Sequence, residues 1–178
     1  MPPGERKRAQ SQTEVRDILD SIRRLVRTLR VSARTAEQEV GLSGAQLFVL
    51  QTIGKTEALT LGGLAERTRT DPSSVSVVVG RLVSRGLVKR KRDTEDARRL
   101  RHSLTPAGRA LFRRAPDAAQ EKLLDALGNL GVTERRTLAR LLVTLTAEMG
   151  LEGAEAPMMF DEEPSARVHG VRSGRGRP

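Results

Sequence analysis

The chain has 178 residues, room for one domain of roughly 100–150 residues with tails at its ends. It holds no cysteine, tryptophan or tyrosine and only three phenylalanines. That excludes disulfides, thiolate metal ligands and cysteine nucleophiles, and leaves too few rings to stack exposed bases. Lys and Arg number 32 against 22 Asp and Glu, a net charge of +10, which points to a polyanionic partner: nucleic acid first, an acidic membrane surface second.

No run of about 18 apolar residues is present, so no membrane span is expected. The opening MPPGERKRAQ lacks the apolar stretch of a secretory signal, and the expected location is the cytoplasm. Residues 1–10 are polar, carry Pro and Gly, and read as a disordered tail. Ser11 and Glu14 then stand at capping-box spacing. Val15, Ile18, Leu19, Ile22, Leu25, Val26 and Leu29 follow at three/four spacing and predict a helix over about 12–40. A stripe that long asks for a partner helix, here one from a second chain.

Ser43 and Gln46, flanked by Leu42 and Leu47, form a second capping box with a hydrophobic staple. Gly54 is placed at the left-handed residue ending that helix. Thr60 starts a short third helix weakened by Gly62 and Gly63. Asp71 and Pro72 start a fourth as N-cap and first helical residue. Val75, Val78, Val79 and Leu82 make its buried stripe, Gly86 ends it, and Ser73, Ser74, Ser76, Val77 and Arg81 occupy its other face. Two short helices joined by a tight turn, the second showing small polar residues, predict a helix-turn-helix.

The segment LVKRKRDTEDARRLRHSLT opens with Leu87-Val88 and closes with the alternation Leu100, His102, Leu104, around a polar turn at 93–96. It predicts a β-hairpin with a basic tip, the wing of a winged helix, able to reach a minor groove. Residues 81–101 hold nine Lys and Arg and three acids, most of the chain's excess charge in one short stretch. His102 reads as a packed histidine and His169 stands alone in a tail; with two His and no Cys, no metal site is expected. No cofactor-binding or catalytic spacing stands out, so the chain is not expected to be an enzyme.

Thr105-Pro106 starts a helix expected to run to about 128 with a kink at Pro116. Thr133 is read as capping a last helix with Leu138, Leu141, Leu142, Leu145 and Met149 on one face. From Gly150 onward eight of 29 residues are Gly or Pro, and the tail is expected to be mostly disordered. The apolar cluster at 157–160 is not expected to dock.

The order of these elements, together with the wing motif Asp93-x-x-Asp96-x-Arg98 followed by Leu104-Thr105-x-x-Gly108, resembles the multiple-antibiotic-resistance regulator (MarR) family of winged helix-turn-helix transcription factors. LGGLAERT at 61–68 and RGLVKR at 85–90 fit the same pattern in the same order. The likeness covers about 12–149. Gly63, Val77 and Gly80 depart from it and bear on the base code rather than on the fold.

The resemblance implies a mainly α chain with a small β-hairpin: a DNA-binding lobe at 43–105 carried on a platform of helices at 12–40 and 106–149. It implies a homodimer joined through Val15, Ile18, Leu19, Ile22, Leu25, Leu138, Leu141, Leu142 and Leu145. Each 71–85 helix would enter a major groove of double-stranded DNA at a pseudo-palindromic operator, with half-sites about 10–10.5 bp apart. It implies that Arg98 enters the minor groove with its rotamer held by Asp96. Ser73, Ser74, Ser76 and Val77 would face phosphates or base edges, and Arg81, Lys89, Lys91 and Arg92 would neutralise phosphates. Eight phosphate contacts per dimer would give a slope of log K against log salt near −7. A small aromatic or phenolic effector would sit between platform and lobe, with Phe48, Phe112 and Arg16 or Arg23 as lining. The expected activity is that of a repressor. The alternatives left open are an architectural DNA-binding protein with little sequence preference and a winged helix that binds protein.

Overall fold

The computed structural model describes residues 3–56, 58–93, 98–154 and 156–161, with the backbone alone at 3, 4 and 6–9. Among the described residues are seven helices and three short strands, and no helix is long and apolar enough to cross a membrane. The first helix, α1 (Pro3–Val40), begins well before the predicted 12. Pro3 suits the first helical position, Glu5 stands in the first turn, and the run from Arg6 to Gln10 consists of strong helix formers that offset Gly4. The tail expected at 1–10 is therefore helical from Pro3, and Ser11 lies inside α1 rather than at its start.

Gly41 ends α1 at φ 63°, and the chain turns directly into α2 (Gly44–Gly54). The predicted capping box is present. Ser43 Oγ accepts from the Gln46 N–H at 3.2 Å, and Gln46 Oε1 accepts from the Ser43 N–H at 3.3 Å. Leu42 and Leu47 are both buried. Gly54 is not left-handed. It is needed for room instead: a Cβ there would stand 2.7 Å from the Phe112 ring.

Thr60 caps α3 (Leu61–Thr68) through Oγ1, which accepts from the Gly63 N–H at 3.1 Å. Asp71 caps α4 (Pro72–Ser84), accepting from the Ser73 N–H at 2.8 Å. Both ends form where the cap residues stand in the sequence, because a helix's first N–H groups need a local acceptor. The stripe Val75, Val78, Val79 and Leu82 is fully buried against Leu42, Leu47, Leu50 and Leu64. This cluster is the core of the lobe.

The wing consists of β2 (Val88–Arg92) and β3 (Leu100–Leu104), antiparallel with Val88 opposite Leu104 and Arg92 opposite Leu100. A strand the sequence did not reveal, β1 (Leu59–Thr60), pairs the other edge of β3, giving the order β1-β3-β2. Two residues are too few to show a period of two. The hairpin is bound to the next helix at Gly108, where a Cβ would lie 2.0 Å from the Leu87 carbonyl oxygen. The glycine of the wing motif is thus required by a close backbone approach.

The predicted helix over 106–128 is two helices, α5 (Pro106–Arg114) and α6 (Ala119–Asn129). Pro116 pushes Ala115 to ψ 142°, so the chain breaks there rather than kinks. Gln51 holds the break: its Nε2 donates to the Pro116 carbonyl at 2.7 Å, and its Oε1 accepts from the Ala118 N–H at 3.0 Å. The last helix, α7 (Val132–Glu148), starts a residue before Thr133, with the Gly131 N–H donating to Glu134 Oε2 at 2.9 Å.

In the tail expected to be mostly disordered, residues 150–154 and 156–161 take a defined path. They turn back through Gly150 and Gly153, both at φ 71°, and run across the lobe. Met158 is buried in the core cluster. The Phe160 carbonyl accepts from the Ala45 N–H at 3.4 Å. Asp161 forms an ion pair with Arg81 of α4. The apolar cluster at 157–160 therefore docks, because Met158 buries side-chain area that the local sequence gave no cause to bury. Residues 162–178, including His169, lie outside the described residues.

Candidate nucleic-acid interface

Helix α4 buries one face and shows the other. Ser73, Ser76 and Val77 are exposed, Ser74 is half-buried, and Val77 presents half of its area to solvent. The Asp71 carboxylate takes both the N–H and, at 2.5 Å, the hydroxyl of Ser73. These bonds, the hydroxyl's foremost, hold its pKa below the ordinary aspartate value. Ser73 Oγ thus spends its proton on the cap and has only acceptor capacity left, whereas the Ser76 hydroxyl stands exposed on the same face.

The wing rises beside α4. Lys89, Arg90, Lys91 and Arg92 are exposed along β2, and Arg98 and Arg99 at the start of the returning strand. Asp93 is buried at the turn. It accepts from Arg101 Nε at 2.6 Å and donates its own N–H to the Arg99 carbonyl at 2.9 Å. Arg101 also donates to the Ala58 carbonyl at 3.2 Å. Arg101 therefore ties the hairpin to the chain entering β1, a role hidden in the sequence because its partners come from two separate segments. Asp96 lies in 94–97, outside the described residues, so its pairing with Arg98 stays an expectation from the motif.

Between α4 and the wing runs a groove of about 640 Å³ lined by Gly62, Ser76, Arg90, Arg98, Arg99 and Leu100, among others. Leu100 is 45% exposed, which breaks the predicted alternation at its first member and leaves an apolar residue at the groove. His102 is buried as expected. Its Nδ1–H donates to the Leu59 carbonyl at 3.1 Å, joining β3 to β1. Burial lowers its pKa below the ordinary histidine value, the Leu59 bond opposes that, and Arg90 adds to it.

Two arginines of α4 face away from this groove. Arg85, at its C-cap, donates to the Gly41 carbonyl at 2.6 Å and to Gln46 Oε1 at 3.0 Å. That ties α4 to the α1–α2 junction. Arg81 is engaged by Asp161.

A second concavity, about 770 Å³, lies between the lobe and α6–α7. Phe48, Leu124, Arg67, Arg69 and Arg135 line it, with Lys55 and Glu121 paired at its edge. Phe48 is thus placed in a cleft of the expected kind. Phe112 is not among its lining residues and packs at Gly54 instead. Nor do Arg16 and Arg23 reach it within the protomer: both are exposed on α1 beside Asp20. Besides Lys55, which is paired with Glu121, the cations of this cleft are Arg67, Arg69 and Arg135, none of them among the residues expected there. The signal available was Arg67-Thr68-Arg69 at the end of a short helix, where Arg69 takes the left-handed cap position at φ 53°.

The family model that matches this chain is that of the MarR family, over residues 40–99. An HTH-type transcriptional regulator of Mycobacterium bovis is 35% identical over 135 residues, spanning 74% of this chain and 92% of that protein. The transcriptional repressor MdtR of Bacillus subtilis is 32% identical over 96 residues, 54% of this chain and 62% of MdtR. Among solved structures, BpsR of Bordetella bronchiseptica, whose DNA binding is regulated by 6-hydroxynicotinic acid, is 28% identical with a TM-score of 0.50, covering 71% of this chain and 91% of that one. The matched residues 40–99 take in α2, α3, α4 and the start of the wing. The chain belongs to the MarR family of helix-turn-helix transcriptional regulators, which bind DNA and are not enzymes.

Proposed function

We propose that this chain is a homodimeric repressor that reads a pseudo-palindromic operator with α4 in the major groove and the wing at the adjacent minor groove. The observation that carries the reading is the groove in which Ser76 of the exposed α4 face stands across from Arg90, Arg98 and Arg99 of the wing, with Lys89, Lys91 and Arg92 exposed along β2. Side chains on α4 are short enough for the helix backbone to approach base edges, and the wing cations supply the phosphate attraction. Arg81 is paired to Asp161, so Lys89, Lys91 and Arg92 remain of the expected neutralisers, and the salt slope of the dimer falls to about −5.

Dimerisation is supported by apolar surface that one protomer leaves open. Val15, Ile18, Leu19, Ile22 and Leu25 are 37–55% exposed along α1, and Leu141, Leu142 and Leu145 are exposed on α7, where only Leu138 of the predicted set is half-buried. A contiguous face of this kind is not stable in water without a partner. The repressor sign is supported by the name of MdtR. An aromatic acid effector is supported by the regulation of BpsR and by the cleft, where Phe48 offers a ring and Arg67, Arg69 and Arg135 offer cations to a carboxylate.

Selection from random-sequence DNA with the purified chain tests the reading. The expected result is a two-fold symmetric consensus with half-site centres about 10–10.5 bp apart, and release of the selected duplex by 6-hydroxynicotinate or a related aromatic acid. A flat profile would overturn sequence-specific regulation in favour of an architectural role.

A further inference from the structure

We propose that residues 156–161 form an intramolecular clamp that holds Arg81 of the recognition helix on Asp161 and so sets how tightly the protein binds DNA. The proposal rests on the DNA-binding reading above. It concerns a segment beyond the family match at 40–99.

Three separate anchors seat the clamp. Met158 inserts into the core cluster, 5% exposed. The carbonyl of Phe160 accepts from the N–H of Ala45, in the first turn of α2, and the Met159 carbonyl accepts from Gln120 Nε2 at 3.4 Å. Phe160 takes a left-handed backbone at φ 58°, a conformation that a bulky residue adopts only when its surroundings enforce it. It turns the chain so that Asp161 meets α4. There the Asp161 carboxylate contacts Arg81 Nη1, with the two side chains 20% and 30% exposed. A pair so shielded is screened less than a surface pair.

The consequence for DNA follows from charge. Arg81 lies on the flank of α4, between the exposed Ser73–Val77 face and the buried stripe. Paired to Asp161 it carries no net charge toward a phosphate, and the carboxylate sets a negative group against any phosphate that approaches that flank. The tether makes the competition intramolecular, so Asp161 acts at a high effective concentration. Phosphate and carboxylate recognise the same guanidinium. Clamp docking and DNA binding therefore oppose each other, and each weakens the other by the same factor.

The test compares full-length chain, Asp161→Asn, Met158→Asp and the double variant Arg81→Ala/Asp161→Asn on a mixed-sequence duplex of about three helical turns, with Kd read across a salt series. Asp161→Asn removes the carboxylate charge with little change of shape, and Met158→Asp undocks the segment at a different anchor. The expected result is about tenfold tighter binding by both single variants near 0.1 M salt, with the slope moving from about −5 toward −7 as two contacts per dimer are gained. The gain is absent when Arg81 is alanine. Unchanged or weaker binding by Asp161→Asn, or a gain that survives Arg81→Ala, would overturn the clamp while leaving the DNA-binding reading intact. Absence of salt-dependent binding by the wild-type chain and every variant would overturn both.

Discussion

At the scale of single residues, the interface depends on groups that hold other groups. Arg101 carries charge on the wing, yet it is spent on Asp93 and the Ala58 carbonyl. His102 is the titratable member of the same lock. Its pKa is lowered in the fold, chiefly by burial, so it binds a proton more weakly folded than unfolded. Its contribution to stability is complete above the ordinary histidine value and is lost as pH falls through that value toward the lowered one. Thermal melts should therefore show Tm falling as the pH is lowered through the ordinary histidine value. A His102→Gln variant should lose this pH-dependent increment, and an identical decline in that variant would assign it to other groups. The residues that close a helix were legible in the sequence: Ser43 with Gln46, Thr60, Asp71 and Thr105 all cap where they stand. Arg101 and Gln51 were not, because their partners lie in remote segments.

At the scale of elements, what was readable followed from local chemistry, and what was missed follows from distance along the chain. The recognition helix was legible from Asp71-Pro72 and the Val75–Leu82 stripe. The hairpin was legible from its alternation and acidic turn. Strand β1 has two residues and a partner some forty positions away, and nothing in Leu59-Thr60 alone marks it. The break at 115–118 was located at Pro116 but read as a kink, since the side chain that stabilises the open carbonyl and N–H comes from α2. The stripe of α1 was readable as apolar, and the structure adds that it is uncovered over Val15–Leu25 within one protomer. Placing a charge at its centre, Ile18→Glu together with Ile22→Glu, should convert the protein to monomers while leaving the lobe folded, because the lobe core draws on Ala36 and Val40 at the other end of α1. Sedimentation velocity with circular dichroism checks this. A dimer that persists would place the subunit contact elsewhere.

At the scale of the whole molecule, one core joins the parts that must move together. Arg85 ties the end of α4 to the α1–α2 junction, Gln51 ties α2 to the α5–α6 break, and residues 158–161 bridge α2, α6 and α4. In the proposed repressor, a shift of α6 relative to α2, the elements flanking the Phe48 cleft, would reach α4 along these packed contacts rather than through a flexible loop. The net charge of the chain takes on position in this frame. Its excess sits on β2 and at the start of β3, on the same side as the exposed face of α4. A cation outside that set, Arg81 of α4, is turned to a carboxylate from the far end of the described chain.

In the proposed repressor, helix α4 and the wing act as one reading surface on two-fold symmetric DNA. Hydroxyl-radical footprinting of the selected duplex, with wild type and Arg98→Ala side by side, tests it most directly. Two protected windows about one helical turn apart are expected, each flanked by minor-groove protection. Arg98→Ala should lose the flanks and bind at least about tenfold more weakly while remaining a folded dimer. Undiminished flanks and affinity in Arg98→Ala, or a single unsymmetrical window, would contradict it.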